Sequence, residues 1–144
     1  MKTSVDVEQQ ESSLDAANRR EAVEELARLF WEAEGRRGVV NLPNGPAEGV
    51  RIGGRDHFPH IIVCGDEDDD GDSRVETVCI VATSDEVNAS AAATWKLLAE
   101  SGFGFHLFVP RRMVLEMRRL CTEQGIIVHF SGTWWMEGGT LCIE

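Results

Sequence analysis

Two apolar runs joined by an acidic loop constrain the fold of this chain more than any other feature of its sequence. The runs, His60–Cys64 and Val75–Ala82, are rich in β-branched residues, and six of the seven residues from Asp66 to Asp72 are acidic. Such runs, separated by a short polar segment, are typical of a β-hairpin. The second run ends in the polar cluster Thr83–Glu86, which leads into a helical pattern. We therefore expect a central antiparallel hairpin, with any functional site within or beside it.

The length and composition indicate one folded domain. A chain of 144 residues, of which 42% are hydrophobic, can bury a core without disulfides or metals. Residues 1–12 are polar and lack any period, so we expect a disordered tail there and a single domain over residues 13–144. The sequence shows no signal-peptide pattern, no membrane-length apolar run and no C-x-x-C spacing. These features favour a cytoplasmic protein that does not bind membranes and whose cysteines are buried thiols.

The charge balance bears on possible partners. The formal net charge is −11, and the acidic loop supplies a large part of the excess. Tight non-specific binding to nucleic acid depends on cations that neutralise phosphates, so the acidic balance disfavours a nucleic-acid partner without excluding a local arginine patch.

Helical and strand patterns alternate along the rest of the chain. Helical patterns extend from about Leu14 to Glu34 and from Arg111 to Gln124. A third helical pattern starts between Asp85 and Asn88 and stops at Gly102. Strand patterns cover Val39–Leu42, Val50–Ile52, Phe103–Val109 and Ile126–Phe130. Gly53–Pro59 has no period and is predicted to be a loop. The sequence Glu137-Gly138-Gly139 is predicted to turn a final hairpin, with Leu141 and Ile143 returning along the sheet edge.

This order predicts an α/β (α+β mixed) fold. The elements follow the order α-β-β-α-β-α-β, with a C-terminal strand or hairpin. Strands joined through helices are expected to lie parallel, because such crossovers pack back onto the sheet. The predicted architecture is a three-layer α/β sandwich around a central mixed sheet.

The acidic loop resembles half of a calcium site. Residues 66–71 match the EF-hand pattern D-x-[DN]-x-[DN]-G, but the twelfth position, which needs a bidentate glutamate, is Thr77, and Glu76 comes one residue early. The flanking segments also favour strands. A solvated hairpin tip that discourages edge-to-edge association is the better interpretation.

The histidines offer a second candidate for metal binding. His57 and His60 are three residues apart, but no other Cys or His completes a recognisable zinc spacing around them. His106 and His129 lie within apolar runs and are interpreted as structural.

Polar residues at two strand–helix junctions form a candidate anion site. In open α/β sheets, ligands bind beyond the carboxyl ends of the strands. One junction supplies Ser84 and Asp85, and the next supplies Arg111 and Arg112, which can hold an anion at a helix N-terminus. The alternative is helix capping by Ser84 and Asp85, with the arginines as surface charges.

Over residues 59–128 the chain resembles the PD-(D/E)XK, restriction-endonuclease-like nuclease superfamily. Pro59–Val63 stands where members carry P-D-[IV]-[IV], and a following strand ends in Val81–Thr83. The resemblance extends to the helix that contains Trp95 and to Phe108–Pro110.

The resemblance implies a magnesium site, but the expected ligands are replaced. In that superfamily, the P-D aspartate and an acidic residue on the next strand bind magnesium, and a lysine two residues on orients the attacking water. Here His60 replaces the aspartate. The second acidic position is either Glu76, followed by Val78, or Ile80, followed by Ala82. The lysine is missing in both registers.

Three functions remain open from the sequence. The leading hypothesis is a nuclease-like domain that has lost catalysis, needs no cofactor and acts as a binding or interaction module, forming a homo-oligomer. The first alternative is an active Mg-dependent nuclease that uses His60 and Glu76, with Asp85 as a third candidate ligand. The second is a small-anion binder that uses Arg111 and Arg112.

Overall fold

A mixed six-stranded sheet and a separate two-stranded hairpin form the β-structure of the computed structural model. The structure describes residues 17–29, 37–41, 49–67 and 73–144. The strands are β1 (Arg37–Val40), β2 (Val50–Ile52), β3 (Arg55–His57), β4 (Ile61–Glu67), β5 (Ser73–Val81), β6 (Gly104–Pro110), β7 (Phe130–Glu137) and β8 (Thr140–Ile143). The helices are α1 (residues 17–29), α2 (Ala89–Ala99) and α3 (Val114–Gln124), with short 3₁₀ segments at Ser84–Glu86 and Arg111–Met113. The predicted α+β class is confirmed.

The strand order in the large sheet is β1-β4-β5-β6-β7-β8. The β4–β5 pair is antiparallel, which confirms the central hairpin. The β5–β6 and β6–β7 pairs are parallel, with α2 and α3 as their connections, as the strand–helix–strand pattern predicts. The carboxyl ends of β5, β6 and β7 therefore lie at the same edge of the sheet.

Alternating side chains of the central strands belong to two hydrophobic clusters. One cluster joins residues of β4, β5 and β6 to α2 and α3, with Trp95, Phe105 and Leu120 among its buried members. The other joins the alternate residues of the same strands to α1, and it contains Leu26 and Trp134. The period of two along each strand thus sends successive side chains to opposite faces. Helices pack against both faces of the sheet.

The predicted strand over Ile126–Phe130 is wrong, because β7 begins only at Phe130. The N–H of Ile126 bonds to the carbonyl of Cys121 at 2.8 Å, and Gly125 has a left-handed φ of 67°. This is the Schellman ending of a helix, in which the residue after the glycine packs back against the last turn. Ile126 is buried for that reason, whereas Ile127 is 81% exposed. The apolar run belongs to the helix end and the loop.

The predicted loop over Gly53–Pro59 is also wrong, since Arg55–His57 pairs with β2 as β3. Gly53 and Gly54 have positive φ values of 60° and 80°, as a two-residue hairpin turn requires. Gly138 and Gly139 have similar values, and they form the predicted turn between β7 and β8. The Gly-Gly pair at 53–54 carried the same signal.

Several predictions fall wholly or partly outside the described residues. They concern the tail at 1–12, the start of the first helix near residue 14, its end near residue 34, and the tip of the acidic loop at 68–72. The segments that flank this tip are strands, as predicted, rather than the helices of an EF-hand. No helix within the described ranges is long and apolar enough to cross a membrane.

Candidate functional site at the carboxyl edge of the parallel strands

The junctions after β5 and β6 meet at the carboxyl edge of the sheet. Each strand is followed by a 3₁₀ turn, Ser84–Glu86 after β5 and Arg111–Met113 after β6. A side-chain hydrogen bond from Arg112 to the hydroxyl of Ser84 links the two turns directly. The structure therefore brings together Ser84 and Arg112, which the sequence places 28 residues apart.

Arg111 lies over the indole ring of Trp135, with its guanidinium carbon 4.6 Å from the ring centroid. This distance is well within the range of a cation–π interaction. In the part of the chain that the structure describes, no carboxylate forms an ion pair with Arg111, and its side chain is exposed. The guanidinium is thus held in place while its hydrogen-bond donors face solvent.

The two adjacent tryptophans of β7 have different roles. Trp134 is 2% exposed, and its indole N–H donates to the carbonyl of Ala82 at 3.0 Å, which ties β7 to the end of β5. Trp135 is only partly buried and points to the opposite face, as expected for neighbours on a strand. The sequence does not indicate that Trp135 meets Arg111, because the two residues lie on different elements.

Asp85 takes part in the turn after β5. Its carboxylate accepts a 2.6 Å hydrogen bond from the hydroxyl of Thr83, and its backbone carbonyl accepts one of 2.8 Å from the side chain of Asn88. Asn88 in turn caps α2 by accepting from the N–H of Ala91 at 2.8 Å. These contacts are those of the capping alternative.

On the α1 side of the same edge, Glu86 is held by Arg19. The two side chains form an ion pair, and the N–H of Thr83 donates to the same carboxylate at 2.9 Å. Burial raises the pKa of Glu86, but the hydrogen bond from Thr83 and the ion pair with Arg19 outweigh it and hold the pKa below its usual value. Arg19 was not a candidate from the sequence, since nothing there indicates that α1 reaches this turn.

His60, which replaces the expected aspartate, continues the backbone ladder between β4 and β5. Its Nδ1 accepts a 2.9 Å hydrogen bond from the N–H of Val81, where a strand carbonyl would otherwise stand. Burial, with a smaller effect from Arg19, lowers the pKa of His60 to about 4. The ring is therefore neutral near pH 7, carries its proton on Nε2 and has its Nδ1 lone pair occupied.

His129 makes the same kind of contact one strand pair away. Its ring Nδ1 accepts a hydrogen bond from the backbone N–H of Phe105 at 3.1 Å, and its backbone N–H donates to the carbonyl of Phe105 at 3.1 Å. Both histidines thus replace a backbone acceptor at a strand end. The contact agrees with the predicted structural role of His129.

Glu76 lies away from His60. The pairing of β4 with β5 runs Val63–Thr77 and then Cys64–Val75, which leaves Glu76 as the extra residue of a bulge. Its side chain lies directly over Gly65, where an added Cβ would collide with it. Extending the pairing by one residue from Ile61–Cys79 puts Ile80 opposite His60, so Glu76 lies about 13 Å farther along the strand. The structure does not bring His60 and Glu76 together.

The described residues contain no metal cluster. No group of three or more His, Cys, Asp or Glu side chains within those ranges could hold a metal ion. The Nε2 atom of His57 is buried without a hydrogen-bond partner in the structure, but His60 does not join it in such a group.

Comparison with known proteins gives no relatives on which to base a function. A scan against protein-family models and searches of curated proteins and solved structures found no match to this chain.

Proposed function

We propose that this protein is a binding module without catalytic activity, which recognises an anionic group such as phosphate at the carboxyl edge of its parallel strands. Arg111, Arg112 and Ser84 would contact the anion. The observation that carries the proposal is the position of Arg111, which is exposed, held over Trp135 and unpaired with any carboxylate of the described chain.

A guanidinium that is already positioned binds an anion at a lower entropic cost than a freely rotating one. The ring of Trp135 restrains Arg111, and the contact with Ser84 restrains Arg112. Two planar cations on one turn offer parallel N–H groups that match the oxygens of phosphate or carboxylate. The edge also coincides with the position at which open α/β sheets bind their ligands.

The absence of catalysis forms the second part of the proposal. In this proposal the scaffold is nuclease-like, and other residues stand at the positions of its magnesium ligands. His60 uses its Nδ1 in the ladder, and the residue opposite it is the apolar Ile80, two residues before Ala82. Magnesium prefers carboxylate and water ligands, so imidazole and alkyl groups at these positions do not favour its binding. A reducing compartment such as the cytoplasm suits its four cysteine thiols, which form no disulfide.

Titration of the full chain with inorganic phosphate tests the binding site. We expect calorimetric binding at low ionic strength that Arg111→Ala abolishes and Arg118→Ala preserves. Arg118 is an exposed arginine on α3, so its variant removes the same charge at a different place. Equal losses in both variants would mean that net charge, rather than this site, attracts the anion and would contradict the proposal.

Titration with Mg²⁺ and Mn²⁺, followed by a cleavage assay on single- and double-stranded DNA, tests the loss of catalysis. We expect no cutting above background. Metal-dependent cutting that Glu76→Ala abolishes would contradict this part of the proposal and would favour the nuclease alternative.

A further inference from the structure

The last strand, β8, forms one edge of the large sheet, and its hydrogen-bonding pattern shows which of its groups face outward. Thr133 and Glu144 exchange both backbone hydrogen bonds, at 2.8 and 2.9 Å. Since such pairs alternate along an antiparallel ladder, Cys142 also bonds inward to β7, whereas Leu141 and Ile143 direct their N–H and C=O groups to the open edge. Within the described ranges no strand pairs with that edge.

This edge lacks the features that usually prevent strand pairing. Natural edge strands carry lysine, proline or a bulge that blocks an incoming strand. β8 has the sequence Thr-Leu-Cys-Ile, and its pairing with β7 is regular from Thr140 to Ile143. Leu141 and Ile143 are partly buried and pack against the cluster that contains α1 and Trp134. The edge therefore offers both hydrogen-bonding groups and an apolar rim.

We propose that β8 pairs with β8 of a second copy, antiparallel about a two-fold axis at Cys142, so that two sheets form one continuous sheet. This inference goes beyond anion binding and does not depend on it. The backbone N–H and C=O groups of Leu141 and Ile143 face outward and lie symmetrically on either side of Cys142. With the axis at Cys142, each Leu141 pairs with the second copy's residue 143, and all of these outward groups find partners.

The two neighbouring registers satisfy fewer groups. An axis at Leu141 would pair residue 143 with Gly139, which lies in the turn, and an axis at Ile143 would run past the last strand residue. In the proposed register Glu144 stands opposite Thr140, so no two like charges meet across the interface. The strand is thus complementary to itself, which is the condition for a two-fold dimer.

The register predicts a specific cross-link. Cys142 would face its own copy in a non-hydrogen-bonded pair, with the two Cα atoms about 4.5 Å apart, a distance that a disulfide can bridge. Its thiol is partly exposed. The experiment is to oxidise the full chain mildly with diamide and to measure the mass of the native protein by analytical ultracentrifugation over a dilution series.

We expect a dimer that diamide converts to a disulfide-linked dimer. Cys142→Ser should abolish the disulfide, and Cys121→Ser should leave it intact. Cys121 is a partly buried thiol on α3 and serves as the matched control. A monomer at every concentration, or a dimer that forms no disulfide through Cys142, would overturn the proposal.

A backbone variant tests the hydrogen bonds independently. Ile143→Pro removes an N–H that faces outward, so the ladder to β7 should persist while dimerisation weakens at least tenfold. Ile143→Val keeps the N–H and should dimerise normally. A folded Ile143→Pro variant with unchanged dimer affinity would contradict the pairing; if this variant does not fold, the cross-link of the native chain decides.

Discussion

The two sides of the carboxyl edge hold their charges in opposite ways. On the side of α1, Arg19 and Glu86 neutralise each other, and Glu86 also accepts from the backbone of Thr83. On the side of α3, Arg111 rests on Trp135 and keeps its donors in solvent. The charges of Arg19 and Glu86 bind each other and stabilise the fold, whereas the charge of Arg111 is available to bind a ligand. Variants on the α1 side should therefore change stability, and variants on the α3 side should change binding.

The largest expected effect on the α1 side is the pH dependence that His60 contributes. Because its pKa falls from 6.5 in the unfolded chain to about 4 in the folded protein, the unfolded state binds more protons as the pH drops. This contribution is fully present above pH 6.5 and is lost towards pH 4, to an extent of about 3 kcal/mol. Urea unfolding of the native chain and of His60→Gln, which does not titrate, measures the difference. Parallel pH profiles would show that His60 is not the cause.

The next effect separates the two ladder histidines. His60→Ala leaves the N–H of Val81 without its acceptor in a buried place, which should cost about 2 kcal/mol. His129→Ala should cost less than about 1 kcal/mol, because His129 is exposed and water can replace its ring. Denaturant unfolding of both variants provides the comparison. Equal losses would contradict the assignment of His60 as the buried member of the pair.

The smallest effect concerns the turn after β5. Glu86→Ala removes the acceptor of the Thr83 N–H together with the partner of Arg19, and should destabilise the protein by about 1 kcal/mol. It should leave phosphate affinity at Arg111 within about twofold, because the Arg19 charge that it leaves unpaired lies on the α1 side of the edge and is screened by salt. Thermal unfolding and calorimetry on the same sample test both parts. A large change in affinity would mean that the two sides of the edge are coupled.

The sequence predicted the parts of the fold that depend on local patterns. The two β-branched runs specified the β4–β5 hairpin, and the alternation of strands and helices specified the parallel pairs. The prediction is wrong at Ile126–Phe130, where an apolar run follows a helix ending, and at Arg55–His57, which follows a Gly-Gly hairpin turn. Periodicity does not distinguish a buried strand from a short apolar loop segment.

The sequence predicts only some of the residues of the candidate site. Position after a strand was enough to select Ser84 and Arg112, which the structure joins. The roles of Trp135 and Arg19 do not follow from the sequence, because they depend on neighbours on distant elements. The nuclease-like motif indicated His60 and Glu76, but the register of the hairpin, which the sequence does not reveal, puts Ile80 opposite His60 and leaves Glu76 four residues farther along the strand.

The most direct test of the account is to map binding residue by residue with backbone and indole NMR spectra of the full chain. Phosphate should shift the signals of Ser84, Arg111, Arg112 and the indole N–H of Trp135, while Mg²⁺ should leave His60, Glu76 and Ile80 unchanged. Saturable Mg²⁺ shifts centred on His60 and Ile80, with no response of Arg111 or Trp135 to phosphate, would contradict it.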